Sequence, residues 1–145
     1  MPAVLFCCTH NRCRSRIAEA LARELFPHWT ILSAGSAPEG GVHPDALRTL
    51  LEVGLTSSGP GRRIDDLPLA EFDLIVTLCD DEETCPRLAA VRERVLHKPF
   101  EDPSRLPADT SAGIRAEAFR HLRERLKAFC LELPELIEEK RAARR

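Results

Sequence analysis

The sequence predicts an α/β fold, a single-domain three-layer sandwich with a four-stranded parallel sheet between helices. Short apolar runs alternate with amphipathic helical segments along the chain, and this alternation is typical of parallel strands joined by crossover helices. The length of 145 residues fits one domain, with a core large enough to need no disulfide or metal support. The chain contains no internal repeat and no low-complexity segment.

Four apolar runs account for the sheet. The predicted strands are residues 3–7, 29–33, 72–78 and 95–98. The third run, FDLIVTL, is the clearest buried strand, because it is apolar along most of its length. Ala34 and Gly35 end the second strand.

The first half of the chain carries two predicted helices, residues 15–26 and 44–53. Apolar residues recur at helical spacing along the first, and Pro27 breaks it. His43 is a candidate cap for the second helix, and Gly54 follows that helix as its stop.

A long helix is predicted from about residue 111 to past residue 130. Its expected apolar face consists of Ile114, Ala118, Leu122, Leu126, Phe129 and Leu133. We expect Pro134 to kink or end this helix, and the charged tail EEKRAARR, within residues 134–145, to fray.

Composition narrows the classes of function. The formal net charge of −2 gives no electrostatic case for nucleic acid or an anionic membrane as a partner. No apolar run is long enough to span a membrane, and MPAVLF is too short for the core of a signal peptide. We therefore expect a cytoplasmic protein, and a monomer. In a reducing compartment its six cysteines are better explained by catalysis, metal binding or burial than by structural disulfides.

Unusual residues follow the ends of three predicted strands: Cys8, Cys79 and Asp102. In open parallel sheets, ligands bind beyond the carboxyl ends of the strands. We expect these three residues to converge on a single site.

The stretch CCTHNRCRSR joins the first strand to the first helix. A helix N-terminus offers unpaired backbone N–H groups and a partial positive charge, so a loop wrapped before it can hold a tetrahedral oxyanion. The predicted oxyanion-binding loop consists of Cys8, Thr9, His10, Asn11, Arg12, Cys13 and Arg14.

Within this loop the spacing C-x5-R provides a candidate nucleophile, Cys8, and a candidate oxyanion-binding residue, Arg14. The helix dipole and Arg14 favour the thiolate of Cys8, while the planar guanidinium of Arg14 can bind two oxyanion oxygens. We expect Ser15 to cap the helix and to donate a hydrogen bond to the Cys8 sulfur, and Asn11 to adopt a left-handed backbone. The alternative is a buried cysteine with incidental arginines, in a chain where arginine dominates the basic residues.

The remaining cysteines divide into two groups. Cys7 and Cys130 are expected in the core, and Cys13 in a structural role. Cys79 and Cys85 lie in LCDDEETCP after the third strand, and can approach each other if that loop rearranges. Alternatives for this pair are two unrelated thiols, or a structural zinc site that no CxxC or nearby histidine pair supports.

Asp102 precedes Pro103 after the fourth strand. A loop carboxyl above an anion site can act as general acid for a leaving oxygen. The alternative is a turn-forming aspartate before proline.

Four motifs occur in a familiar order: CTHNRCRS, SAG, VTLC…CP and EDP. From residue 3 to about residue 130 the chain resembles the thioredoxin-coupled arsenate reductases, which share the low-molecular-weight tyrosine phosphatase fold. The motif C-x5-R-S fits both groups of enzymes. The pair Cys79 and Cys85 favours the reductase.

The resemblance implies a relay of three cysteines. Cys8 attacks arsenate held by the loop and Arg14, with Asp102 helping an oxygen to depart. Cys79 then attacks the Cys8 sulfur and arsenite leaves. Cys85 attacks Cys79 in turn, and thioredoxin reduces the resulting disulfide.

The resemblance also implies that no cofactor is tightly bound, although some members bind a potassium ion. The positions that match this potassium site are Asn11, Glu19, Ser33 and Asp66.

Three features depart from the family pattern. His10 stands where many members have glycine, which can alter the loop or add a titrating group near Cys8. The interval from Cys79 to Cys85 is one residue shorter, and the arginine-rich segment SSGPGRR, residues 57–63, is unusual. We expect this segment to be a mobile loop.

Two other functions fit the motifs less well. A phosphatase acting on phosphotyrosine or phosphoarginine commonly has aromatic residues near its acid, but this chain has no tyrosine, and Ser104 and Arg105 follow the EDP motif. A non-enzymatic thiol protein that binds arsenic or a metal would not need an intact C-x5-R-S loop.

Overall fold

The computed structural model describes residues 1–80 and 84–145, with the side chains of all of these except Thr84 and Cys85. Its four strands form one parallel sheet in the order β2-β1-β3-β4, which confirms the predicted architecture. The strands are β1 (Ala3–Cys8), β2 (Thr30–Gly35), β3 (Leu74–Thr77) and β4 (Val95–His97).

Five α-helices accompany the sheet in the described part of the chain. They are α1 (Arg14–Leu25), α2 (Pro44–Leu51), α3 (Thr84–Arg87), α4 (Ala112–Cys130) and α5 (Leu133–Arg144). None of them has both the length and the apolarity that crossing a membrane requires.

The two faces of the sheet are covered differently. On one face α1, α4 and α5 pack on a large core that includes Val4, Phe6, Leu74, Val76, Ile17, Leu126 and Leu133. On the other face the cover consists of short segments, chiefly the 3₁₀ turns Ile64–Asp66 and Ala89–Arg94, over a smaller core. Because both faces are covered, successive residues of β1 are buried, as expected for a parallel strand.

Capping side chains mark the starts of α2 and α4. The His43 imidazole accepts a hydrogen bond from the Asp45 amide at the start of α2, with Pro44 in the first turn. Ser111 caps α4 by accepting a hydrogen bond from the Ile114 amide. The Ile114 side chain is exposed, so the expected apolar face of this helix does not include it.

The C-terminal region differs from our expectation that residues 134–145 fray. The chain turns after α4 and starts α5, in which Pro134 occupies the first turn, where its missing N–H costs nothing. Leu133 and Ile137 are buried in the main core, and Arg141 forms an ion pair with Asp73 at 3.0 Å. Burial and this ion pair hold the tail as a helix.

Asp73 fastens α5 to the sheet and makes this contact sensitive to pH. Partial burial disfavours its charged form, but hydrogen bonds from Arg141 and from the Ala3 amide outweigh this, and the pKa of Asp73 is lowered. A lowered pKa contributes stability above the ordinary pKa of the group, and this contribution is lost as pH falls through the pKa of the folded state.

We therefore expect Asp73→Asn to destabilise the protein at neutral pH, and the deficit to shrink as pH falls below about 4. Asparagine can still accept from the Ala3 amide, so the variant isolates the charge. Urea unfolding at about pH 7 and about pH 3.5 measures the difference, with exposed Asp109→Asn as the control. A deficit independent of pH would contradict the electrostatic explanation.

Candidate active site

The loop from Cys8 to Arg14 connects β1 to α1 and presses against the end of β2. Cys8 pairs with Gly35 across the two strands. A Cβ on Gly35 would lie 2.6 Å from the Thr9 carbonyl oxygen and 3.0 Å from the Asn11 nitrogen, closer than such contacts allow. The loop can take this path only because residue 35 is glycine, a role that the sequence indicated only by the SAG motif.

Asn11 is buried inside the loop and has a left-handed backbone, with a φ of 53°. Its Nδ2 donates to the hydroxyls of Ser15 and Ser33, both at 2.9 Å. Its Oδ1 accepts from the Arg62 amide at 2.9 Å. One amide side chain thus joins the oxyanion loop to α1, to β2 and to residues 57–63.

The Cys8 sulfur lies 2.8 Å from the Ser15 hydroxyl oxygen, and both residues are buried. Since that hydroxyl accepts a hydrogen bond from Asn11, its own proton is available to the sulfur. A donated hydrogen bond stabilises a thiolate more than a thiol. The expectation that Ser15 also caps α1 is wrong: Cys13 occupies the cap position and Ser15 lies within the first turn.

Arg14 crosses the site almost fully buried. One terminal nitrogen donates to the Phe100 carbonyl at 3.0 Å, and the other lies 3.5 Å from a carboxylate oxygen of Asp102. Its Nε is buried and has no hydrogen-bond partner among the described residues. A buried donor without a partner is costly, and a bound ligand would relieve that cost.

Asp102 forms the turn and also faces the oxyanion loop. One carboxylate oxygen accepts from the amide and hydroxyl of Ser104, at 3.0 and 2.6 Å, and so caps the short turn Pro103–Arg105. The other oxygen faces Arg14. The turn therefore fixes the carboxylate beside the guanidinium.

Cys79 is also buried, and it lines the same cleft as Thr9, Arg14 and Asp102. The cleft measures about 1020 Å³ and continues past apolar side chains of the 99–107 segment and α4. The structure thus brings together the three strand ends predicted to converge. The side chain of Cys85 and the residues 81–83 of the acidic segment lie outside the described residues.

Three other cysteines behave as core residues. Burial raises the pKa of the Cys7 thiol, and the neighbouring Cys8 and Cys79 raise it further. Burial likewise raises the pKa of Cys13, and that of Cys130 to about 12. These thiols remain protonated at neutral pH and are poor nucleophiles.

Arg16 supports the loop, and sequence reasoning missed it. Its guanidinium is fully buried and donates to the carbonyls of Asn11, Ser58 and Gly59 at 2.8, 3.0 and 2.9 Å. The segment 57–63, expected to be a mobile loop, is therefore held against the oxyanion loop. The arginine bias of the chain hid this residue, because nothing local distinguishes it.

A second missed group lies beside Cys79. The Thr77 hydroxyl is 2.6 Å from Nδ1 of His97, and Nε2 of the same ring is 3.1 Å from a carboxylate oxygen of Asp80. This chain of hydrogen bonds ties the end of β3 and the residue after Cys79 to β4. Its members are far apart in sequence, so no local motif reveals them.

His10 is half exposed and makes its polar contacts away from the cysteines. Its Nδ1 lies 3.1 Å from the Ala37 carbonyl oxygen and 3.8 Å from the Glu39 carboxylate. The imidazole ring contacts the segment after β2 and not Cys8.

The four residues matched to a potassium site do not form one here. Asn11, Ser33 and Glu19 meet, with the Ser33 hydroxyl donating to Glu19 at 2.5 Å. Asp66 is exposed and bonds to none of these three among the described residues. The other oxygen of Glu19 faces Arg23 at 2.7 Å, so guanidinium occupies the position of a cation. These residues do not fit a metal ion.

The model of the low molecular weight phosphotyrosine protein phosphatase family matches residues 3–143. The chain belongs to this family. Within the family it is 35% identical over 133 residues to an arsenate reductase of Halalkalibacterium halodurans, covering 87% of this chain and 93% of that protein.

Solved structures of the same family have the same fold. An arsenate reductase from Archaeoglobus fulgidus is 30% identical and superposes with a TM-score of 0.64, over 88% of this chain and 98% of that one. A low molecular weight protein tyrosine phosphatase from Bacillus subtilis is 19% identical, with a TM-score of 0.76 over 96% and 99%. The second likeness establishes the fold alone.

The tight contact at Gly35 yields a prediction. Gly35→Ala should destabilise the protein by roughly 1–3 kcal/mol, since the methyl group meets backbone atoms that cannot easily move. It should also weaken the binding of inorganic phosphate. Thermal unfolding and calorimetric titration measure both effects. Gly113→Ala is the control, because that helical glycine has open space around it. Equal behaviour of the two variants would show that the loop tolerates the methyl group.

Proposed function

We propose that this chain is an arsenate reductase. Three cysteines supply the electrons that reduce arsenate, and thioredoxin then returns the oxidised cysteines to thiols. The observation that carries the proposal is a second buried cysteine, Cys79, lining the same cleft as Arg14 and Asp102. A phosphatase needs only the Cys8 loop and an acid. The similarity to arsenate reductases over most of the chain supports the same choice.

In the binding step, arsenate enters the loop as a tetrahedral oxyanion. Loop amides at the start of α1 and the Arg14 guanidinium neutralise its charge. The unpartnered Nε of Arg14 becomes a donor to an arsenate oxygen. The Ser15 proton holds Cys8 as the attacking thiolate.

In the first chemical step, the Cys8 sulfur forms a bond to arsenic and an arsenic–oxygen bond breaks. Asp102 gives its proton to the departing oxygen, which leaves as water. Arsenic remains in the +5 state at this point. No electrons have yet been transferred.

Reduction occurs when the Cys79 thiolate attacks the Cys8 sulfur. A sulfur–sulfur bond forms, the sulfur–arsenic bond breaks, and its electron pair stays on arsenic, which becomes arsenite. Two thiols are oxidised while arsenic gains two electrons. Cys85 then attacks Cys79 and releases Cys8, and the thioredoxin dithiol reduces the Cys79–Cys85 disulfide. The proposal includes a monomeric enzyme in the reducing cytoplasm, where thioredoxin is available.

A phosphatase is the second candidate. The cleft extends well beyond the volume of a single oxyanion, and its apolar wall, with Phe100, Leu106 and Leu122, could receive an organic group. Cys8, Arg14 and Asp102 would serve phosphate ester hydrolysis equally well.

One assay separates the two candidates. Oxidation of NADPH is followed with thioredoxin and thioredoxin reductase, with and without arsenate, and hydrolysis of an aryl phosphate is measured in parallel. The reductase predicts arsenate-dependent oxidation of NADPH. Hydrolysis of the phosphate ester without that oxidation would overturn the proposal.

Asp102→Asn should lower turnover by roughly two orders of magnitude, the contribution typical of a general acid. Asparagine keeps the bonds to Ser104, so the turn should persist and Tm should change little. Asp109→Asn, at an exposed aspartate outside the lining of the cleft, is the control and should retain full activity. An unchanged rate in Asp102→Asn would reduce this residue to a turn former.

The order of the relay predicts distinct disulfides in single variants. Cys79→Ser should form none after arsenate treatment, because the second attacker is missing. Cys85→Ser should trap Cys8–Cys79 after one turnover, and the wild type without reductant should accumulate Cys79–Cys85. Peptide mapping under non-reducing conditions identifies each species.

Cys130→Ala is the control for this mapping, since that thiol is fully buried in the core away from the cleft. Full activity of both Cys79→Ser and Cys85→Ser with thioredoxin would refute the relay. A Cys8–Cys85 disulfide would keep the reductase and reassign the second attacker.

A further inference from the structure

Glu19 is a carboxylate buried on α1 beneath the oxyanion loop, with 4% of its surface exposed. One of its oxygens accepts the Ser33 hydroxyl at 2.5 Å. The other lies 2.7 Å from Arg23 and 3.6 Å from Arg62. A buried carboxylate persists in a fold only when positive charge or hydrogen bonds compensate its lost hydration.

This carboxylate is the end of a hydrogen-bonded chain that reaches the nucleophile. Ser33 donates to Glu19 and accepts from Asn11, which also donates to Ser15, and Ser15 contacts the Cys8 sulfur. Hydrogen bonds thus connect the buried Glu19 carboxylate, through Ser33, Asn11 and Ser15, to the Cys8 sulfur.

Arg62 reaches this carboxylate from the arginine-rich segment 57–63. Its amide donates to Asn11 at 2.9 Å, and its carbonyl oxygen accepts from the Gly35 amide at 2.8 Å. Arg16 holds the carbonyls of Ser58 and Gly59 in the same segment. Backbone contacts thus deliver the Arg62 guanidinium to Glu19, where one terminal nitrogen is buried and has no hydrogen bond among the described residues.

We infer that Arg62, together with Arg23, is a built-in counterion for Glu19, and that this chain stabilises its oxyanion loop without potassium. A potassium ion needs several oxygen ligands, and here the Glu19 oxygen that could serve faces two guanidinium groups. The unusual sequence SSGPGRR then has a function: the Arg62 side chain within it supplies the positive charge beside Glu19. This inference concerns the stability of the loop and does not depend on the reaction.

The test compares potassium and sodium at matched ionic strength. Wild-type Tm and the dissociation constant for inorganic phosphate should be the same in roughly 0.1 M KCl and roughly 0.1 M NaCl, a concentration that screens exposed pairs equally. A Tm or phosphate affinity that is higher in KCl would show a potassium site and overturn the inference.

The variant Arg62→Ala removes the guanidinium and keeps the backbone contacts. In NaCl it should lower Tm and raise the dissociation constant for phosphate roughly tenfold, which corresponds to about 1.4 kcal/mol. KCl should restore part of both losses, because the vacated position beside Glu19 can then accept an ion. Arg62→Lys keeps the positive charge. Its Tm and its affinity for phosphate should therefore fall less than in Arg62→Ala, and KCl should change neither.

Arg63→Ala is the matched control. Arg63 is the exposed neighbour in sequence, and its charge pairs weakly with Asp65 at 3.9 Å. It should leave Tm and phosphate binding unchanged. If Arg62→Ala behaves like this control, or if KCl rescues nothing, Arg62 is not the counterion. If Arg62→Ala does not fold, Arg23→Ala, which removes the other guanidinium beside Glu19, carries the same comparison.

Discussion

The site depends on one buried amide, the side chain of Asn11. A loop that wraps around an oxyanion must reverse direction within a few residues, and a left-handed residue makes this possible. Such a conformation is costly for a residue other than glycine and persists only where the surroundings hold it. Ser15, Ser33 and the Arg62 amide provide that support, one from each structural element around the loop.

The same amide distinguishes Cys8, the proposed nucleophile, from the cysteines beside it. Cys7, Cys8 and Cys13 are all buried within one short stretch, but only Cys8 receives the Ser15 hydroxyl. Asn11 orients that hydroxyl by donating to its oxygen. Burial, with smaller contributions from neighbouring cysteines and Asp102, raises the pKa of Cys7 and Cys13 and keeps them protonated. In the proposed mechanism, selectivity among these neighbouring thiols comes from hydrogen bonding and not from accessibility.

Features encoded by neighbouring residues could be predicted from the sequence, whereas features formed by distant residues could not. The strands and the loop from Cys8 to Arg14 follow from apolar runs and from chemistry at a strand-to-helix turn. The helical tail depends on Asp73, some 68 residues before Arg141, and so its charged sequence was misjudged as frayed. The match to a potassium site met a similar limit: the sequence shows the carboxylate Glu19 but not the arginines that the fold brings to it.

The reductase and phosphatase functions share their first step, so the fold alone does not separate them. Both form a bond between the Cys8 sulfur and the central atom of an oxyanion. They differ in what attacks next: water at that central atom gives hydrolysis, and a thiolate at sulfur gives reduction. The proposed second attacker, Cys79, is 3% exposed, and its neighbour Asp80 contacts His97, which is itself hydrogen-bonded to Thr77. In the proposed relay, a thiol that already lines the cleft loses little freedom in reaching the intermediate, whereas water must enter the cleft. On this proposal, a cysteine placed after β3, with Cys85 to attack it in turn, redirects a hydrolytic site toward electron transfer.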